Sequence, residues 1–231
     1  MVKACLIRGV GMTPENPERA LALTYAGARR DALAALLALD DALALLLRTT
    51  REPALGQMRL AWWREALERL DHAPPPAEPV LRALAEKILP HGVTGASLVP
   101  IVHGWEVLVE EETLDADALR RFGEGRGHLF VAAGRVLGAA SGDPLVEAGQ
   151  GWALGDLAQN LQVAGEAAEA RRQAQAWLTR AAAVRWSRNA RALGALSHLA
   201  RLDLAVPEGV LPATGAPRRV LRMLWHRLTG R

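Results

Sequence analysis

With 231 residues, half of them hydrophobic, the chain can bury a large core as one domain or as two small ones. Aromatics are only 4% and Ala and Leu supply most of the apolar count, a balance that favours helix over sheet because both residues propagate helices well. The net charge is a modest +3, and the single cysteine, Cys5, excludes an internal disulfide and points to a reducing compartment with an inert thiol.

Nearly all the positive charge is arginine, since Lys3 and Lys87 are the only lysines. Arginine is the better fork for phosphates and carboxylates, but coding bias gives the same pattern. The opening MVKACLIRGVGM has too short an apolar run for a secretory signal before Thr13, Pro14 and Asn16 break it, and residues 1–17 read as an irregular segment. The longest apolar run, 32–47, falls short of the roughly 20 residues that a membrane span needs. The expectation is a soluble, cytoplasmic protein, with peripheral contact at the inner membrane face as an extension.

Residues 32–47 are apolar nearly all round, the mark of an enclosed helix and the expected centre of a bundle. Asp40 and Asp41 interrupt it and are costly to bury without partners. Either they hold a metal, or they face a polar cavity or an arginine. Neighbouring carboxylates on a helix point about 100° apart, so chelation needs a third acidic group one turn away. Ala44, Leu45 and Arg48 offer none.

The stretch 48–70, RTTREPALGQMRLAWWREALERL, contains a helix starting at Pro53, with Thr49, Thr50 and Glu52 as candidate caps. Leu60, Trp63, Leu67 and Leu70 form an apolar stripe that Met58 and Trp62 are expected to widen. Arg64 with Glu68 and Glu65 with Arg69 have the spacing of ion pairs on a solvated face. The prolines of HAPPPAEP, 72–79, form a stiff connection, followed by helices over about 80–89 and 95–112. Thr113 or Asp115 caps a helix running to about Leu137. Its alternating glycines, in FGEGRGHLF at 122–130, follow no strand, so they indicate close helix approach or a helix break rather than a phosphate loop.

The helix over about 144–163 carries a second polar cluster, Asp156, Gln159 and Asn160, and helices over 166–183 and 184–202 follow, with Trp177, Trp186 and Leu193 as expected core anchors. Residues 206–217 read as a surface loop. The tail, 217–231, is a basic amphipathic helix with Leu221, Leu224, Trp225 and Leu228 on one side. It either docks on its own bundle, the favoured arrangement, or lies on an anionic membrane. The six histidines show no metal-ligand spacing, and no nucleic-acid module is recognisable.

RRDALAALLALDDALALLLR and EPALGQMRLAWWREAL together resemble the squalene and phytoene synthase family, the second stretch most closely its branch of mitochondrial complex I assembly factors. LGDLAQNLQ, 154–162, is more weakly similar to the helix of the family's second aspartate-rich motif. The resemblance implies a single all-α domain over 1–231 with the isoprenoid synthase fold and a central cavity. In active members two aspartate-rich motifs hold Mg²⁺, which binds and ionises a prenyl diphosphate. Aligned through ALLAL, 35–39, the first-motif aspartates fall near Ala44 and Arg48, and an aspartate of the second falls near Ala164.

The leading expectation is therefore a synthase-like protein with degenerate motifs and no cofactor, acting as an isoprenoid- or lipid-binding or assembly-type factor with a lipid or protein partner. A Mg²⁺-dependent prenyl transferase with a shifted site at Asp40, Asp41, Asp156 and Asn160 is the alternative, and a scaffold with a filled core the second. Candidate ligand-binding residues are Arg48, Trp62, Trp63, Gln159 and Asn160. Arg48 is singled out because a cation there could bind an anionic head group directly.

Overall fold

The structure is a computed structural model that describes residues 16–206 and 213–231. Cys5, most of the segment read as irregular and the middle of the 206–217 loop lie outside the described residues. Among the described residues the chain forms ten α-helices and no strand. They are α1 (Pro17–Thr24), α2 (Arg30–Thr49), α3 (Pro53–Arg69), α4 (Pro79–Lys87), α5 (Val99–Glu110), α6 (Ala116–Leu137), α7 (Leu145–Asn160), α8 (Ala164–Ala183), α9 (Arg191–Leu204) and α10 (Pro217–Thr229). None of the described helices is by itself long and apolar enough to cross a membrane.

Local chemistry explains most helix ends. Asp115 caps α6 by accepting from the Ala118 N–H at 2.8 Å, and Gly138 closes it with a left-handed backbone at φ 71°. Glu78 caps α4 through the Leu81 N–H. At α3 the cap position falls to Glu52, whose side chain makes no capping bond. Thr49 and Thr50 instead donate their hydroxyls back to carbonyls of α2, and Thr50 accepts from Arg59. The helix expected to run from 184 begins only at Arg191, and Trp186, buried at 2% exposure, anchors the connection before it.

In α3 the stripe Leu60, Trp63, Leu67 and Leu70 is buried as expected, but Met58 and Trp62 are 65% and 45% exposed. Arg64 lies 2.9 Å from Glu106 of α5, an ion pair between helices rather than along one. The enclosed helix is not α2 alone: α7 is buried continuously from Ala148 to Gly155, with α6, α8 and α9 around it. Small residues make this enclosure possible. A Cβ on Gly149 would lie 2.2 Å from the Gly127 carbonyl oxygen of α6, and one on Gly151 2.6 Å from Leu178 of α8. The glycines of 122–130 thus serve close approach, and α6 continues through them without a break.

Candidate functional site

The centre of the bundle is built from these glycine contacts outward. Gly104 of α5 and Gly125 of α6 meet so closely that a Cβ on Gly125 would fall 2.5 Å from the Gly104 nitrogen. Gly127 meets Gly149 in the same way across α6 and α7. Between the two contacts α6 projects Arg126, and Trp105, next to Gly104 on α5, and Trp152, one turn after Gly149 on α7, close over it. The guanidinium carbon sits 4.6 Å from the Trp105 ring and 4.5 Å from the Trp152 ring, with Phe122 at 5.8 Å. A desolvated cation between two indole faces is a strong form of this contact.

Two carboxylates complete the clamp. Asp40 of α2 accepts from Arg126 Nε at 2.9 Å and from its second terminal nitrogen at 2.8 Å, a bidentate pair, and also accepts from Trp105 Nε1 at 2.9 Å. Asp156 of α7 accepts from the remaining terminal nitrogen at 2.6 Å. Arg126 and Asp40 are each only 4% exposed. Burial by itself would lower the arginine's pKa, but the charges of Asp40 and Asp156 outweigh it and hold the guanidinium more firmly protonated than usual. The buried charges are therefore paired and hydrogen-bonded, as their burial requires.

Of the residues singled out in the sequence, the fold brings together Asp40 and Asp156. Asp41 points to a different partner: Arg19 of α1 donates to it through two nitrogens, at 2.8 and 2.6 Å. Desolvation raises the Asp41 pKa, opposed by Arg19. Asn160 is buried and donates to the Asp156 carbonyl at 2.7 Å, which secures the last turn of α7, and Gln159 is half-buried beside it. Ala164, where the second motif would need an aspartate, begins the next helix, α8. Arg48 is exposed in the last turn of α2, with no ion pair among the described residues. Trp63 is buried and stacks edge-on with Trp62 at 5.4 Å, while Trp62 faces outward.

A divalent cation needs carboxylate oxygens that converge on free space. The oxygens of Asp40 and Asp156 converge on a guanidinium instead, and among the described residues no three His, Cys, Asp or Glu side chains form a group able to hold a metal ion. The residues present do not fit Mg²⁺ at this centre. A groove of about 440 Å³ does lie between α5 and α6, lined in part by His103, Glu106, Glu110 and Arg121, but it opens to solvent and is separate from the clamp.

Arg126, Trp105 and Trp152 were not foreseen as a site. The available signal was a lone arginine among glycines, in GEGRG, at a place where small residues bring helices together.

Residues 18–127 match the family model described as squalene/phytoene synthase. Searches of curated proteins and of solved structures found no match.

Proposed function

Given that the chain is squalene/phytoene synthase-like over residues 18–127, we propose that it is a non-catalytic member that works as an assembly-type binding factor through its surfaces. The observation that carries this reading is the occupancy of the centre by Arg126. A prenyl diphosphate is ionised when metal ions neutralise the charge on the leaving group. Here the two acidic side chains that meet at the centre already neutralise an internal cation. Ionisation would require Arg126 to leave two carboxylates and two indole faces at once. Trp105, Phe122 and Trp152 fill the space around it, which supports the filled-core scaffold over a prenyl chain held in the middle of the bundle.

A protein partner fits the surface better than a small ligand fits the core. Leu55, Met58 and Trp62 lie on one exposed side of α3, within the stretch EPALGQMRLAWWREAL. Spaced at three and four residues, they form an apolar stripe left exposed by the described residues.

The test is to incubate the purified protein with farnesyl or geranylgeranyl diphosphate and Mg²⁺ and to follow its melting temperature with and without them. The expected result is no turnover and no Mg²⁺-linked rise in melting temperature. Turnover that disappears in Asp40→Asn or Asp156→Asn would restore the transferase reading.

A further inference from the structure

The C-terminal helix is docked the wrong way round for its sequence. An amphipathic helix normally turns its apolar side to the core. Here the buried residues of α10 are Arg219, Met223 and His226, while Leu221, Leu224, Trp225 and Leu228 are 64%, 43%, 58% and 75% exposed. At 100° per residue the two sets lie on opposite sides of the helix.

On the inward side Arg219 carries the polar contacts. Arg219 forms a bidentate pair with Glu18 of α1, at 2.7 Å through both nitrogens, and reaches Asp203 of α9 at 2.5 Å. His226 sits in a slot over Gly194, where a Cβ would lie 2.3 Å from its ring, and meets the His198 ring at 4.7 Å. The helix is therefore held by ions and rings, and its apolar stripe is left facing outward.

The surroundings of that stripe are cationic. Arg218 and Arg227 flank it, and Arg185, Arg188 and Arg191 gather at the helix C-terminus, close enough that burial and then the charges of Arg188, Arg185 and Arg227 lower the Arg191 pKa. Arg185 and Arg191 donate to the last carbonyls of α10. The neighbouring carboxylates, Glu18 and Asp203, are turned inward onto Arg219.

We propose that the outer face of α10 is a docking surface for an anionic lipid membrane, entered by Leu221, Leu224, Trp225 and Leu228 and held at the head groups by the flanking arginines. The charge pattern selects this occupant. Two copies meeting through the same face would set arginines against arginines, whereas an anionic surface attracts the exposed ones among them, Arg185, Arg188, Arg218 and Arg227. Tryptophan beside leucine suits the boundary between head groups and acyl chains. Because Arg219 already holds the inward face to Glu18 and Asp203, docking needs no unfolding of α10. The inference stands apart from the reading of the bundle centre, since it uses no residue of the Arg126 clamp.

The test is co-sedimentation of the full chain with vesicles of phosphatidylcholine alone and with vesicles one-third phosphatidylglycerol. Binding is expected to the anionic vesicles, weakened by salt and by Arg218→Glu, and reduced at least about tenfold in Leu221→Ser/Leu228→Ser. Val146→Ser, at an exposed apolar position on α7, serves as the control and should bind as the unaltered chain does. Circular dichroism checks the fold of each variant, and Trp225→Ser supplies a second variant of the same face. Absence of binding to either vesicle would overturn the proposal, as would binding indifferent to lipid charge or to the loss of Leu221 and Leu228. A dimer that Leu221→Ser/Leu228→Ser dissociates, with no vesicle binding, would overturn it too and assign the face to a second copy.

Discussion

Arg126 and Arg219 are each clamped by two carboxylates, one at the centre of the bundle and one at its edge. Arg126 ties α2, α6 and α7 together and has indole faces on both sides. Arg219 ties α10 to α1 and α9, and one turn on along α10 Arg222 meets His198 of α9. The ion pairs are alike, but their surroundings make them do different things. Around Arg126 the low dielectric and the aromatic walls leave no alternative partner, so the clamp fixes a unique centre. Around Arg219 the same chemistry attaches one helix and lets that helix keep its apolar face outside. The two clamps are electrostatic neighbours: burial chiefly raises the Asp203 pKa, and the charges of Glu18 and Asp156 raise it further.

The largest effect is expected at the centre. Arg126→Leu leaves Asp40 buried with only the Trp105 N–H, a loss of about 3–5 kcal/mol. Thermal melting should fall by about 6–20 °C, at about 2–4 °C per kcal/mol for a chain of this size. The triple change Asp40→Leu/Arg126→Met/Asp156→Leu should recover most of that loss, since the penalty comes from a stranded charge rather than from the pair itself. A triple variant as unstable as the single one would show that the clamp is a net stabiliser.

Arg219→Ala is expected to cost less, about 2–3 kcal/mol, because charge-assisted hydrogen bonds are lost without the two indole faces that also hold Arg126. Limited proteolysis should then cut near α10 before it cuts the rest. A loss equal to that of Arg126→Leu would erase the contrast between the two regions.

Acid should act on the edge, through the two buried histidines there. Burial lowers the pKa of His198 to about 3, helped by His226 and Arg222, and that of His226 to about 4, helped by Arg222. Both lie below the ordinary 6.5, so as pH falls through that value the unfolded chain takes up protons that the folded chain refuses. The stabilisation is complete above 6.5 and is lost as pH falls towards 4. By pH 5 the loss is on the order of 2 kcal/mol for one ring, at 1.36 kcal/mol per unit. Melting temperature measured from pH 7 to 5 should decline, and His226→Leu should flatten the decline.

Glycine substitutions have the smallest expected effects and the clearest sign. Gly125→Ala puts a Cβ 2.5 Å from the Gly104 nitrogen and should cost about 1–3 kcal/mol by forcing α5 and α6 apart over Arg126. Gly155→Ala meets nothing closer than 3.7 Å and should be neutral or stabilise by up to about 1 kcal/mol through helix propensity. Chemical denaturation of the two variants side by side separates packing from propensity.

The helical elements were largely legible in the sequence, because their signals are local. Pro53 opens α3, Asp115 caps α6, and the three-four spacing of Leu60, Trp63, Leu67 and Leu70 marks the buried side. The width of that side was not legible. Met58 and Trp62 fit an apolar stripe by composition, yet none of the described helices covers them. α7 was hard to recognise as an enclosed helix because its glycines and alanines carry little hydrophobic contrast, and it is their small size that lets three helices approach.

The candidate site was legible only in part. Asp40 and Asp156 stood out as carboxylates in apolar helices, but the group that explains both is 86 residues from one and 30 from the other. Periodicity along a helix determines which residues share a face, so the sequence alone established that α10 has an arginine face and a leucine face. Which face turns inward depends on the countercharges that other helices present. Glu18 and Asp203 drew Arg219 of α10 into the protein, and Asp40 and Asp156 drew in Arg126. Those pairings exist only once distant segments have packed, and there tertiary structure overruled the hydrophobic pattern.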